Sequence, residues 1–190
     1  SFPTRRSSDL FSMMKMFPVI IALIFTPILV KKTGSMQKVN FWGYVISDIL
    51  GIFLIIFAMQ KNLPMMLLFM FLKGTFAGTM SGTLNALIAE ISGYTYRTKG
   101  VHIDGMMFSC SSLGVKVGGG IGTAAVGWLL HAAGYAGKAA TQTAAATNMI
   151  FSMYITIPVI LGVVITILLG LMKVEKENKR IDMERAEQAD

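Results

Sequence analysis

Charge is what this chain has least of. Only 14% of its 190 residues are Asp, Glu, Lys or Arg, and ten of those are acids. Soluble domains carry about 25% charged residues, so the polar surface that a soluble fold of this length needs is missing. Cysteine is nearly absent: Cys110 stands alone. One thiol makes no intrachain disulfide and no metal site by itself, and inside an apolar run it reads as a small packing residue. The two histidines, His102 and His131, lie at opposite ends of one apolar segment, without metal-ligand spacing, and no nucleophile–base motif accompanies them. An enzyme is therefore not expected, nor a resident metal or cofactor. What fills the sequence instead is apolar: 54% hydrophobic residues and a mean hydropathy of +0.62. Membrane protein is the class that remains.

The formal charge of +7 does not point to nucleic acid, because the basic residues cluster in short connectors and at the C-terminus rather than along a face that could track phosphates. Residues 1–10, SFPTRRSSDL, reverse-translate to a string resembling a sequencing-library adapter. They are expected to be non-native, with the remainder a C-terminal fragment. A helix needs about 20 mostly apolar residues to cross roughly 30 Å of hydrocarbon. Five segments meet that length: about 11–30, 41–59, 64–91, 103–131 and 148–172, followed by a charged tail, 173–190. They are expected to be helices, since lipid tolerates no unpaired backbone and the runs are too long for barrel strands. The fold expected is all-α and polytopic.

Lys and Arg set the orientation. Lys31, Lys32, Lys38, Arg97, Lys99, Lys173, Lys176, Lys179, Arg180 and Arg185 fall on one side, and Lys15, Lys61 and Lys138 on the other. The first side, with the C-terminus, is expected in the cytoplasm and the protein in the cell membrane. Phe41, Trp42 and Tyr44 then fit the inner aromatic belt, and Trp128 and Tyr135 the outer one. Pro18, Pro27 and Pro158 favour kinks. Gly114, Gly118 and Gly122, spaced by four, form a ridge suited to close helix approach.

One lysine stands near the middle of the fourth segment. Gly105, Ser109, Ser112, Lys116, Gly120, Thr123 and Gly127 advance by steps of three and four, a polar and small-residue stripe on one helical face. Met107, Leu113, Val117 and Leu129 lie opposite. A midplane lysine costs about 2.5–3.5 kcal/mol on insertion scales, and an ionisable residue there marks a water-lined functional face. Lys116, Ser109, Ser112, Gly120 and Thr123 are the candidate cavity residues; pairing with an acid for packing alone is the competing reading. KVGGGIG is not a nucleotide loop, because it lacks GxxxxGK[ST] and no strand precedes it. Asp48 and Lys73 are the other deep charges. At 1.5 Å per residue they sit at depths about 6 Å apart, so an intramembrane pair is expected if their helices are neighbours. Glu90, Tyr94, Arg97, Lys99 and Asp104 form a cluster at the cytoplasmic, gate side. The tail reads as a partly helical, solvated segment that can brush anionic lipid.

Residues 89–135, AEISGYTYRTKGVHIDGMMFSCSSLGVKVGGGIGTAAVGWLLHAAGY, resemble the helix 10–helix 11 region of the glycoside–pentoside–hexuronide:cation symporters. These are sugar transporters related to melibiose permease, within the major facilitator superfamily. Ala89-Glu90 stands where the family has Ala-Asp, and Lys99-Gly100 ends its basic loop. Ser109, Lys116, Gly118, Gly127-Trp128-Leu129-Leu130 and Gly134-Tyr135 match directly. Residues 11–34 resemble the family's eighth helix and following loop. Gly93, Tyr96 and His102 depart from the family's usual aspartate, loop acid and arginine, which alters its cytoplasmic charge network. The resemblance implies helices 8 to 12 of a twelve-helix carrier coupling sugar or glycoside uptake to Na⁺ or H⁺, with Lys116 near the central site. The acids that hold the cation would lie mostly on the N-terminal half, which is the partner this chain lacks. A drug or peptide carrier of the same superfamily, and a non-transporting membrane subunit or scaffold, stay open as alternatives.

Overall fold

The computed structural model describes residues 5–60, 62–137 and 142–188. Residues 1–4 of the adapter-like segment, and the orientation lysines Lys61 and Lys138, lie outside them. The chain runs as α1 (Arg5–Thr33), α2 (Met36–Met59), α3 (Leu63–Ala77), α4 (Thr79–Lys99), α5 (Asp104–Ala132), α6 (Ala144–Phe151), a π-helical turn (Ser152–Thr156), α7 (Ile157–Leu171) and α8 (Val174–Glu187). No strand occurs among the described residues. Five stretches are long and apolar enough to span a bilayer: α1, α2, α3 with α4, α5, and α6 through α7.

Local chemistry sets the ends. Ser35 caps α2, its hydroxyl accepting from the Lys38 N–H at 3.1 Å, and Thr143 caps α6 by accepting from Ala146. Gly34 and Gly100, at φ of +65° and +70°, close α1 and α4 in the left-handed region that glycine enters without strain. The third apolar segment is longer than 64–91 and is jointed at Gly78. In its polar end Thr95 and Thr98 turn their hydroxyls back onto the carbonyls of Ile91 and Tyr94, which satisfies those hydroxyls within the helix. Arg97 and Lys99 suit the negative end of α4. The π-helical turn precedes Pro158, which has no N–H for the carbonyl four residues earlier, so the backbone widens there.

The bundle is built around α2, which packs against α3, α7, α4 and α1. Its interior is as polar as it is apolar. Ala22, Leu54, Leu87 and Val159 are buried, but so are Asn40, Ser47, Thr79, Thr83 and Ser92, while Ile24, Ile52, Leu168 and Leu171 face outward. Apolar exterior is what lipid permits and water does not. Close approach depends on four glycines, of which Gly51 lies against Val159, 2.7 Å from where its Cβ would be. A Cβ on Gly43 would meet Thr79 and the Phe76 carbonyl, one on Gly78 would meet Ala22 at 2.7 Å, and one on Gly162 would strike the Asp48 carboxylate.

Two expectations are corrected. The ridge of Gly114, Gly118 and Gly122 seats no helix among the described residues: nothing lies within 4 Å of a Cβ built on any glycine of α5. No residue of α5 is buried, and the helix packs chiefly on α4 and α6 at its ends. The tail is not merely solvated either. As α8 it docks on α4, with Glu175 and Asn178 buried, because its polar side chains find partners on the bundle.

Candidate functional site

The stripe on α5 keeps its register in three dimensions. Ser109, Ser112 and Lys116 line one shallow depression with Phe108 and with Leu113, which is expected on the opposite face but follows Ser109 by four residues and so falls on this one. Gly120 and Thr123 continue the face one and two turns on, outside that depression. Thr123 donates to the Gly119 carbonyl at 2.8 Å, so its hydroxyl is satisfied within the helix. Lys116 makes no ion pair with a described residue. The competing reading, an acid paired for packing, has no such acid among the described residues. Chemically, the face offers two hydroxyls and one ammonium on about two turns of helix, donors suited to a polyhydroxylated solute or a carboxylate.

A second polar layer lies between α2, α3 and α7. Asp48 is only 9% exposed. Its Oδ2 accepts from Thr166 Oγ1 at 2.6 Å, and its Oδ1 is buried without a hydrogen bond under the bare backbone of Gly162. Lys73, half-buried on α3, reaches past Gly51, where a Cβ would come 3.1 Å from its Cε. Ser47 Oγ donates to the Lys73 carbonyl at 3.2 Å, tying α2 to α3. Asp48 and Lys73 thus share one layer, within electrostatic reach, but form no contact ion pair within 4.0 Å. Thr166 takes the direct contact. Sequence reasoning missed it, although Val159, Gly162, Thr166 and Leu169 follow at steps of three and four on one face of α7.

The gate-side residues divide. Arg97 pairs in a fork with Asp182 of α8, at 2.8 and 3.1 Å, and its carbonyl accepts from Arg185. Glu90 accepts from Asn178 Nδ2 at 2.7 Å. Asp104 faces His102 instead, at 3.7 Å, and His102 stacks on Tyr96 with ring centroids 4.0 Å apart. Tyr94 is half-buried and Lys99 exposed. Neither Glu90 nor Asp104 touches Arg97 or Lys99 as an ion pair. The partners come from α8: Glu175, Asn178, Asp182 and Arg185, at steps of three, four and three, form the docking face, a periodicity visible in the sequence once a partner is supposed.

Glu175 is the centre of this clasp. It accepts from Ser35 Oγ at 3.0 Å, from the Gln37 N–H at 2.8 Å and from Lys179 at 3.0 Å. Burial pushes its carboxyl up, but the hydrogen bonds from Gln37, Lys179 and Ser35 and the charge of Lys179 outweigh it and hold the group below its ordinary value. Lys179 also donates to the Gly34 carbonyl, and Gln37 Nε2 to the carbonyls of Leu169 and Met172. The carboxylate lies at the positive end of α2, where an anion is favoured.

Apolar spans around a polar interior define a polytopic, all-α membrane protein. The model for MFS/sugar transport proteins matches residues 4–176, and the chain belongs to that family. The isoprimeverose transporter of Lactiplantibacillus pentosus is 28% identical over 157 residues, 83% of this chain and 32% of that protein. The Escherichia coli (strain K12) protein YagG, whose name describes a glycoside/cation symporter, is 28% identical over 109 residues, 55% of this chain and 24% of its own length. A 29.9 kDa protein from the crtE 3′ region of Pseudescherichia vulneris is 27% identical over 132 residues, 68% of this chain and 48% of that protein. The chain therefore spans less than half the length of these curated relatives. No solved structure matches it.

Proposed function

We propose that this chain supplies helices 8 to 12 of a secondary carrier that moves a sugar or glycoside together with Na⁺ or H⁺ across the cell membrane, its α8 end in the cytoplasm. The names of two relatives, an isoprimeverose transporter and a glycoside/cation symporter, support the class. The observation that carries the reading is the state of α5: a helix of membrane-spanning length with no buried residue, presenting Ser109, Ser112 and Lys116 on one face. A hydroxyl-lined face with a central cation suits a polar solute passing through a water-filled cavity. In repeat-built carriers that cavity lies between halves, near the midplane, so the partner of this face would be the N-terminal half of the same carrier, which also brings most of the cation-binding acids. The coupling cation is then a co-transported substrate rather than a resident group.

The test is uptake of labelled glycosides into vesicles holding the intact carrier, under an imposed Na⁺ or proton gradient. Accumulation of a glycoside that collapses with one gradient supports the reading and names the cation. Gradient-independent equilibration removes the coupling. Accumulation of a peptide or an apolar drug in place of any glycoside returns the protein to another branch of the superfamily.

A further inference from the structure

Where α7 gives way to α8, a cleft of about 560 Å³ opens beside the first turns of α2. Its wall is apolar on the bundle side, formed by Phe41, Leu169 and Gly170. Gly170 keeps a slot open along the Phe41 ring, since a Cβ there would come 3.1 Å from Phe41 Cε2. Lys38, Lys173, Lys176 and Lys179 stand around the opposite side. Lys179 is engaged by Glu175, and Glu175 itself is satisfied by Ser35, Gln37 and Lys179. Lys38, Lys173 and Lys176 are exposed and form no ion pair with a described residue. Three ammonium groups therefore line one cleft whose single carboxylate, Glu175, is already engaged by Lys179. The N-terminus of α8, capped by no side chain, adds its positive end to the same place. Trp42, edge-on to Phe41 at 5.8 Å and 60% exposed, marks the level at which an indole prefers the headgroup boundary.

We propose that this cleft is a binding site for an anionic phospholipid, its phosphate held by Lys38, Lys173 and Lys176 and an acyl chain lying in the slot beside Phe41 and Gly170. A basic pocket between helices at the membrane surface is suited to acidic headgroups. A free phosphate would answer the lysines but leave the apolar wall wet, whereas a lipid answers both ends of the cleft at once. The site is separate from the α5 face, and the proposal stands whatever solute is carried. It also places the lipid against the α8 clasp, since Glu175 and Lys179 form part of the same wall.

Native mass spectrometry of the intact protein in a neutral detergent tests this, with phosphatidylglycerol, phosphatidylcholine and inorganic phosphate as probes. One phosphatidylglycerol per chain should be retained in preference to phosphatidylcholine. Lys38→Gln, Lys173→Gln and Lys176→Gln should each weaken it about five-fold, the size of one basic side chain's attraction to an anionic membrane surface. Gly170→Leu should weaken it with no change in charge, by filling the slot. Lys31→Gln with Lys32→Gln, outside the cleft at the same end of the bundle, should leave it unchanged. All the lysines are exposed, so the variants should elute and show helical circular dichroism as the parent does. The proposal is overturned if phosphatidylglycerol binds no better than phosphatidylcholine, if the Lys31/Lys32 variant loses as much as the cleft variants, or if inorganic phosphate displaces the lipid at equal concentration.

Discussion

At the scale of single residues, two of the membrane-embedded charges, Lys116 and Asp48, make opposite demands. Lys116 is exposed on α5 and makes no ion pair with a described residue, so removing it orphans no partner among them. Lys116→Ala relieves an insertion penalty of about 2.5–3.5 kcal/mol, and membrane yield should hold or rise. On the proposed function, gradient-driven accumulation of the solute should fall sharply, because the charge would set the potential of the face proposed to line the cavity. Lys116→Arg should be impaired as well, since a planar fork does not replace a compact ammonium. Met107→Ala, on the other face, should leave coupling intact; transport assays on the three variants decide, and unchanged coupling in Lys116→Ala sinks the cavity reading. Asp48 is the reverse case, buried and held by one hydroxyl. Thr166→Val leaves both carboxylate oxygens without a hydrogen bond and should cost about 1–3 kcal/mol, read as a lower unfolding temperature in detergent. Lys73→Met should also destabilise, by stripping the cation that shares that layer among the described residues. The double variant Asp48→Asn with Lys73→Met should recover yield if the two charges offset each other across the layer, and failure to recover shows that Thr166 alone stabilises Asp48.

At the scale of elements, α8 is a clasp whose strength depends on pH. The Glu175 carboxyl is held below its ordinary value of 4.5 in the folded chain. A depressed acid contributes stability that is fully present above 4.5 and is lost as pH falls through the lower, folded value. Hydrogen exchange of residues 174–187 should therefore stay slow from pH 7 to pH 5 and quicken below 4.5. Glu175→Gln should exchange fast throughout and lose the pH step. The Arg97–Asp182 fork is half-exposed and adds less, as solvent-screened pairs do. The same element shows what sequence could and could not reveal. The spans were legible because about 20 apolar residues in a row admit one structure in lipid. The stripe on α5 was legible because helical spacing fixes a face without reference to any neighbour. The docking of α8 was not. Its face is built of Glu175, Asn178, Asp182 and Arg185, residues equally suited to water, and only the positions of Ser35, Glu90 and Arg97 decide that they are buried or paired. The glycine ridge seats nothing among the described residues for the matching reason: small residues permit close approach but do not name what approaches, and the glycines that seat neighbours here, Gly43, Gly51, Gly78 and Gly162, lie in α2, the α3–α4 joint and α7.

At the scale of the whole molecule, three connectors that are far apart in sequence meet at one end of the bundle. Lys179 reaches the Gly34 carbonyl in the α1–α2 turn, Asp182 and Arg185 hold Arg97 at the end of α4, and Gln37 ties the start of α2 to the end of α7. The turn after α1, the turn after α4 and the tail therefore share one side, independently of any charge rule. Those are the same three places that hold Lys31, Lys32, Lys38, Arg97, Lys99, Lys173, Lys176, Lys179, Arg180 and Arg185. Packing supplies the common side, and the excess of Lys and Arg is the ground for the proposal that it faces the cytoplasm. A fluorescent reporter joined after the C-terminal residue should therefore fold and emit from the cytoplasm. An alkaline phosphatase inserted near Thr141, a position outside the described residues, should be active only outside the inner face, because the α5–α6 connection lies at the other end of both helices. Because the contacts bind the three connectors together, inversion of one requires inversion of all. A cytoplasmic phosphatase at Thr141 with an external C-terminus would reverse the orientation while leaving the clasp intact. A mixed result, with both sites on one side, would break the five-span topology itself.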